Sequence, residues 1–270
     1  MRGRLGAALT VFEKENYRFK NWRHANAGSV VFAGCGFPSF FPKTFRALRE
    51  ELGGIRDVSV AIDCCGLPLA GLAGEGAARR EMERVSRRFS ACGAREVVPV
   101  CPNCAVAFSG GLRLPQKSIY AKLAELSSCG KLNVRNLTTP GAVFVPCPDR
   151  DGRVWLGDVM RFAGEGVFVC DCARCCGAAF EIARPEASLA AARGVLEAVA
   201  RQCERAGIAD PVVYTYCASC AGRLERARRR LAGEAAARVR VVHVLSALLG
   251  VDEAPAVRTA LANRAKAALS

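Results

Sequence analysis

The sequence predicts an α/β protein built from two similar domains, each a small, mostly parallel sheet flanked by helices. Short β-branched and aromatic runs alternate along the chain with longer segments bounded by glycine or proline. A set of five cysteines recurs at nearly constant displacement. The chain has 270 residues, which exceeds one typical domain and suits two of roughly 100 to 150 residues.

The elements follow in order. In the first half the runs "SVVFAGC" (29–35), "VSVAIDCC" (58–65) and "EVVPVCPNC" (96–104) read as strands that end in cysteine. Helices are expected in "FPKTFRALREELGG" (41–54), "GEGAARREMERVSRRFSACG" (74–93) and "KSIYAKLAELSSCG" (117–130), with terminal glycines as stop signals. The second half repeats the scheme with "GAVFVPC" (141–147), "GVFVCDCARCC" (166–176) and "PVVYTYCASC" (211–220) as strands. Its helices are "GRVWLGDVMRFAGEG" (152–166), "PEASLAAARGVLEAVARQCERAG" (185–207) and "SCAGRLERARRRLAG" (219–233). The expected division is an N-terminal extension over 1–26, a first domain over 27–136, and a second over 137–270 that includes the C-terminal helices.

The duplication is written in cysteine. Cys35, Cys64, Cys65, Cys101 and Cys104 return as Cys147, Cys175, Cys176, Cys217 and Cys220, displaced by 112, 111, 111, 116 and 116 residues. In a parallel sheet all strand carboxyl ends share one edge, where open α/β folds place their ligand crevices. Strands ending in one, two and two cysteines therefore bring five thiols to one region. Gly66 and Gly177, directly after the cysteine pairs, let the backbone turn sharply or approach a bulky group. Zinc takes four ligands and leaves one cysteine of each set spare. Neighbouring side chains on extended backbone diverge, so an adjacent pair suits a multi-metal cluster better than one small ion. Zinc in one of the sites remains open on this reading.

Composition narrows the classes. No apolar run has the length that spans a bilayer, so direct membrane insertion is not expected. The N-terminus lacks a cleavage-site pattern, and a cytoplasmic, reducing setting makes fifteen cysteines metal ligands, catalytic thiols or buried small side chains rather than disulfides. A formal charge of +14 raises nucleic acid as a partner. The arginines, however, recur among glutamates on helical stretches and aromatics are only 7%, which favours solvated helix faces. "GCGFPSF" lacks the third glycine of a dinucleotide fingerprint.

The doubled pattern resembles the cysteine-rich CCG domains of heterodisulfide reductase and of the iron–sulfur subunits of lactate utilisation and anaerobic glycerol-3-phosphate dehydrogenase systems. That pattern is a lone cysteine, about thirty residues, CCG, about thirty-five more, and C-x-x-C; the gaps here are 28 and 34, then 27 and 39. The resemblance spans roughly 27–250. It implies two pseudo-symmetric Rossmann-like domains, each able to hold a noncubane [4Fe-4S] cluster through the five cysteines named above, with one or two clusters per chain and zinc in one copy of some relatives. It further implies electron transfer, with disulfide or dithiol chemistry on a small substrate, beside a ferredoxin-like iron–sulfur protein or a flavoprotein. The excess positive charge suits an anionic cofactor or an acidic partner. Relatives often carry His-Asp-Pro-Cys before the second lone cysteine, whereas this chain reads "FVPCPDR".

Outside the ten, Cys92, Cys129 and Cys203 are expected to be packed in the interior, His243 to be a core residue, and His24 with Trp22 and Arg23 to form a surface or docking segment. Cys170 and Cys172 offer a rival ligand set, because Cys172 and Cys175 also make a C-x-x-C; it ranks below the repeated five. The competing functional classes are a zinc-stabilised scaffold without redox chemistry and a basic nucleic-acid module built on C-x-x-C zinc sites.

Overall fold

Every strand expected from the sequence is present, and all pair in parallel. The computed structural model describes residues 2–15, 17–172, 174–231 and 233–269. The chain divides into two units, 1–132 with 259–270 and 133–258.

The first unit runs α1 (Arg2–Lys14), β1 (Ser29–Phe32), α2 (Phe37–Phe40), α3 (Pro42–Gly53), β2 (Val58–Ala61), α4 (Leu67–Ala73), α5 (Glu75–Ala91), β3 (Glu96–Pro99), α6 (Pro102–Ser109) and α7 (Ile119–Ser128). Strand order is β2-β1-β3, and β1 is buried throughout, as a central parallel strand covered on both faces must be. Helix α5 buries Ala77, Met82, Val85 and Phe89 along one face. Phe89 meets Phe32 of the sheet, Phe108 of α6 and Trp22 at centroid separations of 5.9, 5.7 and 5.1 Å. This aromatic cluster fixes the helix layer over the strand that leads to Cys35.

The second unit runs β4 (Gly141–Phe144), α8 (Val154–Met160), β5 (Val167–Val169), α9 (Pro185–Arg205), β6 (Val212–Thr215), α10 (Ala218–Arg230), β7 (Arg240–His243) and α11 (Val244–Leu248). Its order is β5-β4-β6-β7. The strand β7 was not expected: "RVVH" runs straight into the apolar helix α11, and the joint run hides the change of period. His243 ends that strand fully buried, and its Nδ1 accepts from the Leu245 backbone N–H at 3.3 Å, capping α11. It is a core residue.

The C-terminal helix α12 (Ala260–Leu269) belongs with the first unit, whereas the sequence reading placed it in the second. Its polar side chains supply the reason. Asn263 donates to the Ser39 carbonyl at 3.1 Å, Arg264 donates to Ser39 Oγ at 2.8 Å, and Arg264 also pairs with Glu13 of α1.

Candidate metal centres

In the first unit, Cys35 lies three residues past β1, Cys64 and Cys65 three and four past β2, and Cys101 two past β3. Parallel pairing puts these ends on one edge. Cys101 is the N-cap of α6 and Cys104 sits in its first turn, so both sulfurs lie where unpaired helix N–H groups favour negative charge. The sulfurs meet in pairs: Cys35 with Cys64, Cys65 with Cys104, and Cys104 with Cys101. Cys64, Cys65, Cys101 and Cys104 are buried.

The second unit repeats the arrangement. Cys147 lies three residues past β4, and Cys217 caps α10 with Cys220 in its first turn. Cys147 contacts Cys175, Cys175 contacts Cys176, Cys176 meets Cys220 at 3.1 Å, and Cys220 contacts Cys217. All ten sequence-predicted cysteines thus fall into two sets of five, one in each unit. Cys170 and Cys172 form a separate pair with each other.

Each CCG glycine has a measurable role. Gly66 and Gly177 have φ of 79° and 84°. A Cβ on Gly66 would lie 2.8 Å from Glu81 Cβ and 3.1 Å from the Ala78 carbonyl oxygen; on Gly177 it would lie 2.6 Å from the Ser188 carbonyl oxygen. In both units the loop carrying the cysteine pair is pressed against the first turns of the next long helix, α5 or α9.

Side chains beyond the cysteines hold these loops. Fully buried Asp63 accepts from the Cys64 backbone N–H at 2.8 Å, from Trp22 at 2.7 Å, and from Arg84 at 2.6 and 2.8 Å. Arg84 is steadied by Glu81 at 2.8 Å. In the second unit, buried Arg223 donates to Ser188 Oγ at 2.7 Å, and that hydroxyl donates to the Gly177 carbonyl at 2.8 Å. Asp149, two residues past Cys147, accepts from the backbone N–H groups of Trp155 and Leu156 at 3.0 and 2.8 Å and from the Tyr216 hydroxyl at 2.8 Å. It ties the Cys147 turn to α8 and to the residue preceding Cys217.

The electrostatics differ between the sets. The ammonium of buried Lys14 contacts Cys35. A hydrogen bond from Cys64 outweighs burial and, with Lys14, brings the Cys35 thiol down to about 6 while Cys64 is pushed up. In the second set, hydrogen bonds from Cys175 and then Cys220 hold Cys176 well below the ordinary thiol range. Lys14, Asp63 and Asp149 were missed in sequence. The only signals were an aspartate next to the pair and another in "CPDR".

Among the described residues no three His, Cys, Asp or Glu side chains are arranged around a single ion. The first set groups as Cys35 with Cys64 and Cys65 with Cys104 and Cys101, the second as Cys147, Cys175, Cys176, Cys220 and Cys217 in series. Two buried donors without a partner among the described residues point to a bound group: the Tyr17 hydroxyl and Arg223 Nη2. Tyr17 lies within electrostatic reach of Cys35 and Cys64, and Arg223 senses Cys176. Buried donors are normally satisfied, and donors left beside thiols fit an anionic, sulfide-bearing group. Cys203 is buried as expected, whereas Cys129 is exposed and Cys92 half-exposed; both are helix C-caps, where the chain leaves the helix for solvent.

Residues 29–109 match the family described as "CCG: Cysteine-rich domain". The first unit carries a CCG domain. The match runs from β1 through α6 and includes Cys35, Cys64, Cys65, Cys101 and Cys104, so the CCG domain coincides with the first five-thiol edge. The second set rests on its own repeated spacing and strand-end placement. No curated protein is matched. Similar solved structures include Picrophilus torridus aspartate racemase, at TM-score 0.39 and 10% identity over 82% of this chain and 90% of that one. Another is an aspartate racemase homologue from Pyrococcus horikoshii OT3, at TM-score 0.36 and 12% identity over 83% and 96%. No residue role is carried over at that level of similarity. No helix is long and apolar enough to cross a membrane among the described residues.

Proposed function

We propose that this chain is the iron–sulfur redox subunit of a heterodisulfide reductase-like complex, with a noncubane [4Fe-4S] group at each five-cysteine site. The observation behind the reading is the meeting of Cys35, Cys64, Cys65, Cys101 and Cys104, and again of Cys147, Cys175, Cys176, Cys217 and Cys220, at the carboxyl edges of two parallel sheets. When bound, such groups supply one-electron steps and iron that can bind sulfur.

The chain's own residues then have defined tasks. The ten thiolates hold the metal, the N-termini of α6 and α10 favour their charge, and Tyr17 and Arg223 donate to the bound group. Lys14 sets a fixed positive charge beside Cys35. The same reading includes a cytoplasmic setting and exchange of electrons with a ferredoxin-like iron–sulfur protein or a flavoprotein. The exposed stripe Leu5, Leu9 and Phe12 on α1 supports docking of such a partner.

The test is anaerobic purification followed by iron, acid-labile sulfide and zinc determination on one sample. About eight irons and eight sulfides per chain are expected. About four of each with one zinc would convert one site to a structural role, and zinc without sulfide would overturn the redox reading in favour of a scaffold.

A further inference from the structure

We propose that Cys170 and Cys172 form a redox-active dithiol that exchanges with small anionic disulfides in the pocket at the end of β5. The pair sits in the one place where the two units' cysteine loops differ in length. β2 ends three residues before its cysteine pair, whereas β5 ends six before. The added loop contains Cys170, Asp171 and Cys172.

Its backbone holds the two thiols together. The Cys172 N–H donates to the Cys170 carbonyl at 2.9 Å, a three-residue γ-turn that draws the two Cα atoms toward the separation of roughly 4.4–6.8 Å a disulfide needs. The two thiols also influence each other electrostatically, Cys170 raised and Cys172 lowered. The Cys170 N–H continues the ladder to the Val143 carbonyl at 2.8 Å. Gln202 of α9 accepts from the Asp171 N–H at 2.9 Å, donates to the Asp171 carbonyl at 3.2 Å, and reaches Cys170 Sγ at 3.7 Å. A side chain grasping both sides of one peptide position holds this turn in place.

The surroundings indicate the substrate class. Cys170 and Cys172 line a pocket of about 250 Å³ with Val145, Val169, Asp171, Arg150 and Arg153. Arg150 is fixed by a 3.0 Å bond to the Arg174 carbonyl and leaves its buried Nε without a partner among the described residues. Two guanidinium groups against one carboxylate select a ligand with negative charge, and apolar valines accept the carbon–sulfur part. Cys170 is buried and Cys172 partly exposed, which makes Cys172 the attacking sulfur and Cys170 the resolving one. The hydrogen bond from Cys170, aided by the Arg174 N–H and by the Arg174 and Arg150 charges, outweighs burial and brings Cys172 down to about 6, with Cys170 raised. A thiolate near neutrality is the reactive form.

The Cys172 thiolate attacks one sulfur of R–S–S–R′, forming a Cys172–S–S–R bond and breaking the substrate S–S bond to release R′–S⁻. Cys170 loses its proton and attacks Cys172 Sγ, forming the Cys170–Cys172 disulfide and releasing R–S⁻. Two electrons pass from the dithiol to the substrate; the proton lost by Cys170 goes to one released thiolate, and the other leaves as the thiolate, carrying the negative charge that Cys172 brought in. A dithiol reductant returns two electrons and the Cys170 proton to reset the pair.

The probe is glutathione disulfide, which is anionic, mixed anaerobically with the purified full-length protein, acid-quenched, alkylated and mapped by mass spectrometry. Wild type is expected to accumulate a Cys170–Cys172 disulfide that dithiothreitol reverses. Cys170→Ser is expected to trap a glutathione adduct on Cys172, and Cys172→Ser to give neither product, with iron per chain unchanged in both. Reaction with cationic cystamine should be several-fold slower, and Arg153→Gln should narrow that ratio. Wild type without the internal disulfide, or adducts in Cys170→Ser confined to Cys92 and Cys129, would overturn the proposal. So would loss of iron in both variants equal to that in Cys176→Ser, which would make the pair ligands. Iron is measured on the same samples, so failure of the cluster assignment is read separately from failure of the dithiol.

Discussion

Replacing Gly177 with alanine tests the packing on which the second five-thiol site depends. The residue has φ of 84°, and its added Cβ would lie 2.6 Å from the Ser188 carbonyl oxygen and 2.9 Å from Ser188 Cα. Both are backbone atoms of α9, so no side-chain rotation relieves the overlap. Left-handed backbone in a non-glycine residue costs about 1 kcal/mol or more, the forced separation of loop and helix about 1–3, and the strained Ser188–Gly177 hydrogen bond about 1. Together these predict destabilisation of about 3–5 kcal/mol. Gly207→Ala is the matched control: its φ is 70°, but nothing lies within 4 Å of its Cβ position, so only the backbone term of about 1 kcal/mol applies. In anaerobic urea unfolding followed by circular dichroism at equal metal content, Gly177→Ala should unfold about 1–2 M earlier than Gly207→Ala for a slope near 2 kcal/mol per molar. Equal midpoints for the two variants would refute the close approach of the CCG loop to α9.

Lys14→Met should lower the reduction potential of the first site by on the order of 100 mV, with Lys14→Arg near wild type in redox titration; equal values for all three would remove Lys14 from the electrostatics of that site. Cys65→Ser and Cys176→Ser should each reduce iron and sulfide per chain, whereas Cys129→Ser, at an exposed cysteine, should not; unchanged content after the first two would sink the ligand assignment. Burial alone would raise the Glu96 carboxyl, but the Ser29 hydroxyl and the Lys122 ammonium, 3.1 Å away, hold it below the ordinary carboxylate range. Its folded value is therefore lower than its unfolded one, so the stabilisation is present above the ordinary carboxylate range and lost as pH falls through the lowered value. Lys122→Met should accordingly lose about 1–2 kcal/mol near neutral pH and progressively less as pH falls below the ordinary carboxylate range, read from urea midpoints across that range.

The strand-and-helix alternation was legible because strands such as "SVVF" and "GAVF" are buried on both faces and read as continuous apolar runs. The grouping of the ten cysteines was legible because parallel strands must deliver their ends to one edge, and the duplicated spacing marks which thiols lie together. Lys14 and Tyr17 were not legible: they reach Cys35 only through the tertiary docking of the N-terminal segment, which an Asn21–Ile62 bridge and the Trp22–Asp63 bond hold against the CCG loop. Asp149 and Arg223 were hidden for a similar reason. Their partners lie on other elements, and neither has a periodic sequence pattern. The C-terminal helix was misplaced because it packs on α2, far earlier in the chain, with polar contacts to Ser39 and Glu13, and such long-range docking is not encoded in hydrophobic periodicity.

The two thiol sets also differ in access, and the difference sets their order of loss. In the first, Cys35 is half-buried and shares its surroundings with the buried cation Lys14; in the second, Cys147 is exposed and Cys175 half-buried. Oxidants and chelators attack a thiolate-bound metal through its most accessible ligand, while a fixed buried cation stabilises an anionic group without admitting water. Iron release under chelator should therefore be biphasic, the fast phase belonging to the second site. Cys147→Ser should remove the fast phase from the start, leaving about half the iron and a slow phase unchanged in rate. A single phase in wild type, or a Cys147→Ser protein that keeps the fast phase, would show that exposure of this cysteine does not govern the lability of its site.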